Sequence, residues 1–195
     1  LSPEIAVNYY LTDDTSIYVA YKKAFKSGGI DNSALPTASL NVNSPAFKGF
    51  DALVYDSEEV DGFEIGLKSN LLNNSMRINA TYYIYEYTDL QVQLFDAQAI
   101  QFSTFNAGAV ETEGFEADLL WYTEVPGLTL RGQFAWSDAT NTGDFFNTSG
   151  VNLRGSERSY SPEFAGSLGF SYDAGLGAGW RLNLSSDARY SDDYG

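Results

Sequence analysis

Strict alternation of apolar and polar residues through Ser57–Asp96, SEEVDGFEIGLKSNLLNNSMRINATYYIYEYTDLQVQLFD, limits what this chain can fold into. Phe63, Ile65 and Leu67 fall on one face of a first segment, and Glu64, Gly66 and Lys68 on the other. A polar turn over Leu72–Ser75 carries two asparagines at its centre. Beyond it, Met76, Ile78, Ala80, Tyr82 and Ile84 oppose Arg77, Asn79, Thr81, Tyr83 and Tyr85. A period of two over this length predicts two long antiparallel strands. A helix over Ile78–Leu90 would mix Tyr, Thr, Asn and Glu on every face, and its β-branched and aromatic residues oppose it.

The pattern recurs along the chain. Leu1–Leu11, Thr15–Lys26, Ile100–Tyr122, Leu128–Ser137, Tyr160–Tyr172 and Trp180–Tyr190 each alternate, so about eight strands are expected in a meander. Tight turns are predicted at Thr12–Asp14 and Val125–Gly127, and a glycine-rich one at Asp173–Gly179. Long polar stretches cover Ser27–Asp56 and about Thr140–Ser159, with a modest loop near Asp96–Ala99. Short and longer connections therefore alternate between the two ends of the sheet. Membrane barrels sort their loops this way, whereas a soluble meander has no reason to.

A second regularity concerns depth. Each apolar face, followed away from its short turn, meets a charge after about five alternate positions. Lys23 follows Tyr21, Asp61 follows Phe63, Glu86 follows Ile84, Glu113 follows Phe115 and Asp138 follows Trp136. Five alternate positions span about 9 residues, close to what a tilted strand needs to cross a bilayer. Trp121 and Trp180 sit beside short turns and Trp136 near a long loop, as two interfacial aromatic girdles would place them. The expected fold is all-β: an antiparallel transmembrane β-barrel segment, forming part of the wall of a larger barrel. The competing architectures are a complete eight-stranded outer-membrane barrel for structure or adhesion, and a soluble β-sandwich binding module.

Composition removes whole function classes. With 11 basic and 26 acidic residues the net charge is −15, which opposes nucleic-acid binding and polybasic docking on anionic lipid. The chain contains neither cysteine nor histidine, which excludes Ser-His-Asp and Cys-His centres here and the common zinc sites. No enzyme activity, cofactor or metal is expected. Asp56, Glu58, Glu59 and Asp61 lack EF-hand spacing and read as a solvated acidic face. Gly28-Gly29 lacks the lysine-serine pair of a phosphate loop. The Asn-x-Ser/Thr triplets at Asn73, Asn79 and Asn147 read as chance. Both ends of the chain fall in strand-like sequence, so the chain is expected to be part of a longer protein.

Several stretches resemble the barrel region of TonB-dependent receptors, the outer-membrane transporters of Gram-negative bacteria. They are YVAYKKAFKSGGI (Tyr18–Ile30), the long hairpin Ser57–Gln93 with its E-x-G-x-K and DLQVQ, NAGAVETEGFEADLLW (Asn106–Trp121) and SPEFAGSLGFSY (Ser161–Tyr172). The resemblance implies a barrel of about 22 strands around a plug, of which residues 1–195 supply about a third of the wall. The plug and closing strands lie outside the chain. It further implies uptake of a scarce nutrient such as a ferric siderophore, cobalamin or an oligosaccharide, powered through TonB. The other expected partners are outer-membrane lipid, lipopolysaccharide, the plug and the remaining strands.

Two sets of candidate residues follow. A wet, lumen-facing set comprises Glu64, Lys68, Arg77, Asn79, Glu116, Asp118, Arg131 and Gln133, with Glu163 and Arg181 beside them. A ligand-meeting set at the outer loops comprises Phe47, Phe50, Tyr55, Phe145 and Phe146. For any single member of the first set, cross-strand pairing is the expected role.

Overall fold

The computed structural model describes residues 1–31, 53–96, 101–147, 150–158 and 161–193. Phe47 and Phe50 lie outside these residues. Twelve strands and no α-helix occur among them. Eight form one antiparallel sheet, in the order β1 (Glu4–Thr12), β2 (Thr15–Lys26), β5 (Glu58–Leu71), β6 (Met76–Thr88), β9 (Ala109–Tyr122), β10 (Leu128–Asn141), β11 (Phe164–Gly177) and β12 (Trp180–Ser191). Two small hairpins stand at the long-loop end. One pairs β3 (Gly29–Ile30) with β4 (Val54–Tyr55), and the other pairs β7 (Gln91–Asp96) with β8 (Gln101–Asn106).

The register carries each apolar face onto its neighbour. One row runs Val7, Val19, Ile65, Tyr82, Phe115, Trp136 and Phe164 across seven strands. Among the described residues no second layer covers this face: Phe63 is 56% exposed and Leu168 73%. Ala20, Leu53 and Val110 are the buried hydrophobic residues among those described, and no large side chain is fully buried. The soluble sandwich is thereby excluded, because it requires a core between two sheets. A closed eight-stranded barrel is excluded as well, since β1 and β12 are opposite edges of the sheet.

Strand stagger shows that the sheet is built to curve into a tilted wall. Thr15, at the start of β2, shares a row with Ser69, Ile78, Leu119, Gly132, Leu168 and Ala188. On β12 that row lies eight residues beyond the strand's start at Trp180. Eight residues at about 3.4 Å, set against six interstrand spacings of about 4.8 Å, give a tilt of about 40°. Closed barrels require a tilt of about 35–45°.

The charged limit of the apolar belt follows the same stagger. Lys23, Asp61, Glu86 and Glu111 occupy one row. Glu113 and Asp138 occupy the next row toward the short turns. Carboxylates directly opposite one another repel. A row of them is tolerated where water and counterions begin, so this step marks the end of the lipid-facing surface.

Turn chemistry explains where strands stop. Leu72, Asn73 and Asn74 are three consecutive left-handed residues (φ 52, 55 and 64°). Asparagine tolerates that region through local side-chain hydrogen bonds, and a β-branched residue does not. Asn73→Val is expected to destabilise the protein by about 1–2 kcal/mol, read as a lower urea midpoint of the folded barrel.

Three expectations need correction. The second strand of the Ser57–Asp96 hairpin ends at Thr88, where Asp89 turns left-handed, and Gln91–Asp96 is the separate strand β7, paired with β8 outside the large sheet. The expected strand Ile100–Tyr122 is, over its described residues, two strands, Gln101–Asn106 and Ala109–Tyr122, broken at Ala107–Gly108, where Gly108 turns left-handed (φ 58°) opposite Asp89 at φ 53° on the partner side. The glycine-rich stretch Asp173–Gly179 is mostly strand. β11 runs to Gly177, and the turn is only Ala178–Gly179 (φ 50 and 83°), the two-residue type that matches strand twist.

Candidate functional site

Two regions collect chemistry. The first is the polar face of the large sheet, which is concave: a trough across β6, β9, β10, β11 and β12 is lined by Arg77, Asn79, Glu116, Asp118, Arg131, Gln133, Asp187 and Arg189. All eight residues of the first candidate set lie on this face by register. Lys68, Asn79, Asp118 and Gln133 form one row, and Arg77 lies in the same row as Leu120, Arg131 and Asp187. Asn79 Nδ2 donates to both oxygens of Asp118, at 3.1 and 3.0 Å. Arg131 donates to Asp187 in a two-bond fork at 2.9 and 2.7 Å. That fork reaches across the intervening strand because residue 169 is glycine, where a Cβ would sit 2.3 Å from Asp187 Oδ1. Arg77, Glu116 and Gln133 make no side-chain hydrogen bond or ion pair among the described residues, so they offer open donors and acceptors to the trough.

Toward the loop end the same face becomes aromatic. Lys22 Nζ donates to Glu64 at 2.8 Å, and Tyr85 donates its hydroxyl to the same carboxylate. Tyr18 bonds Thr81 at 3.0 Å, and the Lys68 ammonium stands 5.4 Å over the Tyr18 ring. Three tyrosines of this face lie on cross-strand glycines: Tyr18 on Gly66, Tyr83 on Gly114 and Tyr85 on Gly62. Each ring covers backbone that its glycine leaves bare, as aromatic residues do elsewhere in sheets. Gly66→Val would place a Cβ 2.0 Å from the Tyr18 ring. The ring must then leave Thr81, and a cost of about 1–3 kcal/mol is expected in unfolding measurements.

The remaining candidates are placed differently. Glu163 precedes β11 and accepts from Trp136 Nε1 at 3.3 Å, so it serves the rim of the apolar face instead of the trough. Arg181 pairs with Asp173 at 2.7 Å near the last short turn. Tyr55 lies in β4 with its ring over Gly29, so it packs the base of the first long connection. Phe145 is half-buried against Gly108, and Phe146 is 56% exposed. Of Tyr55, Phe145 and Phe146, Phe146 presents the largest free surface; Phe95 and Phe102 of the β7–β8 hairpin, outside the candidate set, are exposed as well.

The second region is the long-loop end, where sequence reasoning missed the residues that tie the loops together. Gln91 and Asn106 are cross-strand partners at the base of the β7–β8 hairpin and bond to both ends of the first long connection. The signal available was the interruption of alternation at Asp89-Leu90 and Ala107-Gly108.

A tilted, open, single-layer sheet with an apolar convex face and a wet concave face is a piece of an outer-membrane β-barrel wall. The chain matches the family described as TonB dependent receptor-like, beta-barrel, over residues 1–195, and it belongs to that family. Members are bacterial outer-membrane barrels, and the class is one of transporters, not enzymes. No curated protein matches the chain. Among solved structures it is similar to the ferric yersiniabactin uptake receptor FyuA from Yersinia pestis, with 18% identity, TM-score 0.65, and 93% of this chain and 25% of that one covered. It is also similar to BauA, the ferric preacinetobactin receptor from Acinetobacter baumannii (17% identity, TM-score 0.66, 97% and 25%). A third is the copper transporter OprC (16% identity, TM-score 0.62, 96% and 25%). The chain thus spans about a quarter of the length of these structures.

Proposed function

We propose that this chain is the wall and part of the outer-loop surface of a receptor that takes up a scarce nutrient across the outer membrane, powered through TonB. Residues 1–195 are then a partial barrel domain, completed by further strands and filled by a plug encoded elsewhere in the protein. The observation that carries this reading is the wet concave face. Lys68, Arg77, Glu116 and Arg131 are exposed on it, whereas Glu64 and Asp118 are partly covered by their cross-strand partners, and such a wet face suits a wide lumen around a plug and not a small barrel filled with its own side chains. Glu64, Lys68, Arg77, Asn79, Glu116, Asp118, Arg131 and Gln133 line that lumen. Arg77, Glu116 and Gln133 are the members free to meet the plug or the passing ligand.

A ferric siderophore is the favoured cargo, supported by the likeness to FyuA and BauA, receptors for ferric yersiniabactin and ferric preacinetobactin. The fold alone does not select it, since OprC is a copper transporter. Growth of a strain deleted for the full gene, on iron held by a panel of siderophores, tests the proposal. Loss of growth on one chelate, restored by the gene and abolished again without TonB, is the expected result. Normal iron-limited growth together with loss of cobalamin or oligosaccharide use would replace the cargo. Uptake that persists without TonB would overturn the mechanism.

A further inference from the structure

The long connections do not stand apart at the outer end; they meet on four consecutive residues, Asn106–Ala109. The side-chain amide of Asn106 acts as a strand partner for Asp56. Its Oδ1 accepts the Asp56 N–H at 2.6 Å, and its Nδ2 donates to the Asp56 carbonyl at 3.0 Å and to the Asp89 carbonyl at 2.7 Å. Gln91, directly opposite, donates through Nε2 to the carbonyls of Ser27 and Asp56 at 2.9 and 3.1 Å. The entry and exit of the first long connection are therefore clasped to the β7–β8 hairpin.

The next residues hold the last long connection. The Ala109 carbonyl accepts from the N–H groups of both Thr142 and Gly143, at 2.9 and 3.1 Å. Close approach depends on two glycines. A Cβ on Gly143 would lie 2.3 Å from Ala109 N, and one on Gly108, at φ 58°, would lie 3.2 Å from the Asp144 carbonyl.

None of this is needed by the membrane wall. Thr88 and Ala109 form the last paired row of β6 and β9, outside the row of Glu86 and Glu111 where the apolar belt has already ended. Only an amide of this length supplies one acceptor and two donors in one plane. An aspartate keeps the shape, loses both donated bonds, and sets a carboxylate against two carbonyl oxygens.

We propose that Asn106–Ala109 is a hub that holds the three outer connections in one common posture, and that Asn106 and Gly108 are positioning residues for the ligand those loops capture. The posture stands on the geometry alone; its consequence for ligand rests on the uptake reading above.

The test uses the full-length receptor in nanodiscs with Asn106→Asp, and Gly108→Val as a second variant acting from the other side. Hydrogen exchange should rise at least about tenfold in peptides from both residues 53–58 and residues 142–147, while β6 and β9 within the belt stay unchanged. Faster exchange in only the connection adjoining the substituted residue would reduce the hub to separate local contacts and overturn it, as would no change in either. Titration with ferrichrome and ferric enterobactin reads the second part. A wild-type receptor that binds one of them should weaken about tenfold in Asn106→Asp, because the ordering cost moves to the binding step. Unchanged affinity alongside raised exchange would overturn the positioning role. Failure of the wild type to bind either chelate would count against the uptake reading for those cargoes, while the exchange result still decides the hub.

Discussion

Leu168→Arg should destabilise the folded receptor in a bilayer by about 2–4 kcal/mol, the cost of a cation near mid-depth on the lipid face of a barrel. Leu168 is 73% exposed and lies in the register row of Gly132 and Ala188, so the substitution removes little packing. In a water-soluble sheet an arginine at such a position would be neutral, within about 0.5 kcal/mol. The size of the effect therefore reports which solvent bathes that face, since packing changes little. Gln133→Arg, on the concave face opposite Asp118, should stay within about 1 kcal/mol in the same urea titrations. Equal effects for the two variants would mean that the faces do not differ in environment.

Gly127→Val should be the most damaging single change at a short turn, at about 3 kcal/mol or more. Two costs combine. Gly127 holds φ 81°, a region from which a β-branched residue is nearly excluded. A Cβ there would also fall 1.9 Å from the Asp173 carbonyl, on the backbone of the adjacent strand. That backbone cannot yield locally, because Asp173 N donates to Gly127 O at 2.9 Å, next to the Leu128–Tyr172 pair at the end of the β10–β11 ladder. Refolding from urea into lipid vesicles should show a lower yield as well as a lower midpoint. Gly150→Val, with open space around its Cβ position and only the φ 76° penalty, separates the conformational cost from the clash.

The wall was legible in the sequence because a strand in a membrane is read by one rule at every position. The alternation of Phe63, Ile65 and Leu67 against Glu64, Gly66 and Lys68 states which side is lipid without reference to any partner. The charges at Lys23, Asp61, Glu86, Glu113 and Asp138 state the depth, and the structure assembles them into two adjacent rows. The loop end was not legible, because its geometry depends on contacts distant in sequence. Asn106 meets Asp56 across 50 residues, and nothing local distinguishes it from any loop asparagine. The break inside Ile100–Tyr122 was missed for the same reason: Ala107 and Gly108 look like one weak spot in a strand, until Leu90 and Thr142 supply the bonds that bend it. Glu163 falls within the alternation of Tyr160–Tyr172, but β11 begins only at Phe164, so the backbone does not fix the side of Glu163 and its carboxylate meets Trp136.

Site-directed spin labelling along β6 tests the central claim most directly. The chain has no cysteine, so single cysteines from Met76 to Thr88 can be labelled in a full receptor cleared of others and reconstituted in lipid. Labels at Ile78, Ala80, Tyr82 and Ile84 should be accessible to oxygen dissolved in the bilayer and shielded from a water-soluble nickel chelate. Labels at Asn79, Thr81 and Tyr83 should lack the oxygen signal, and the switch to chelate access on the outward face should come at Glu86. Loss of the two-residue alternation, or chelate access at Ile78 through Ile84, would contradict the account.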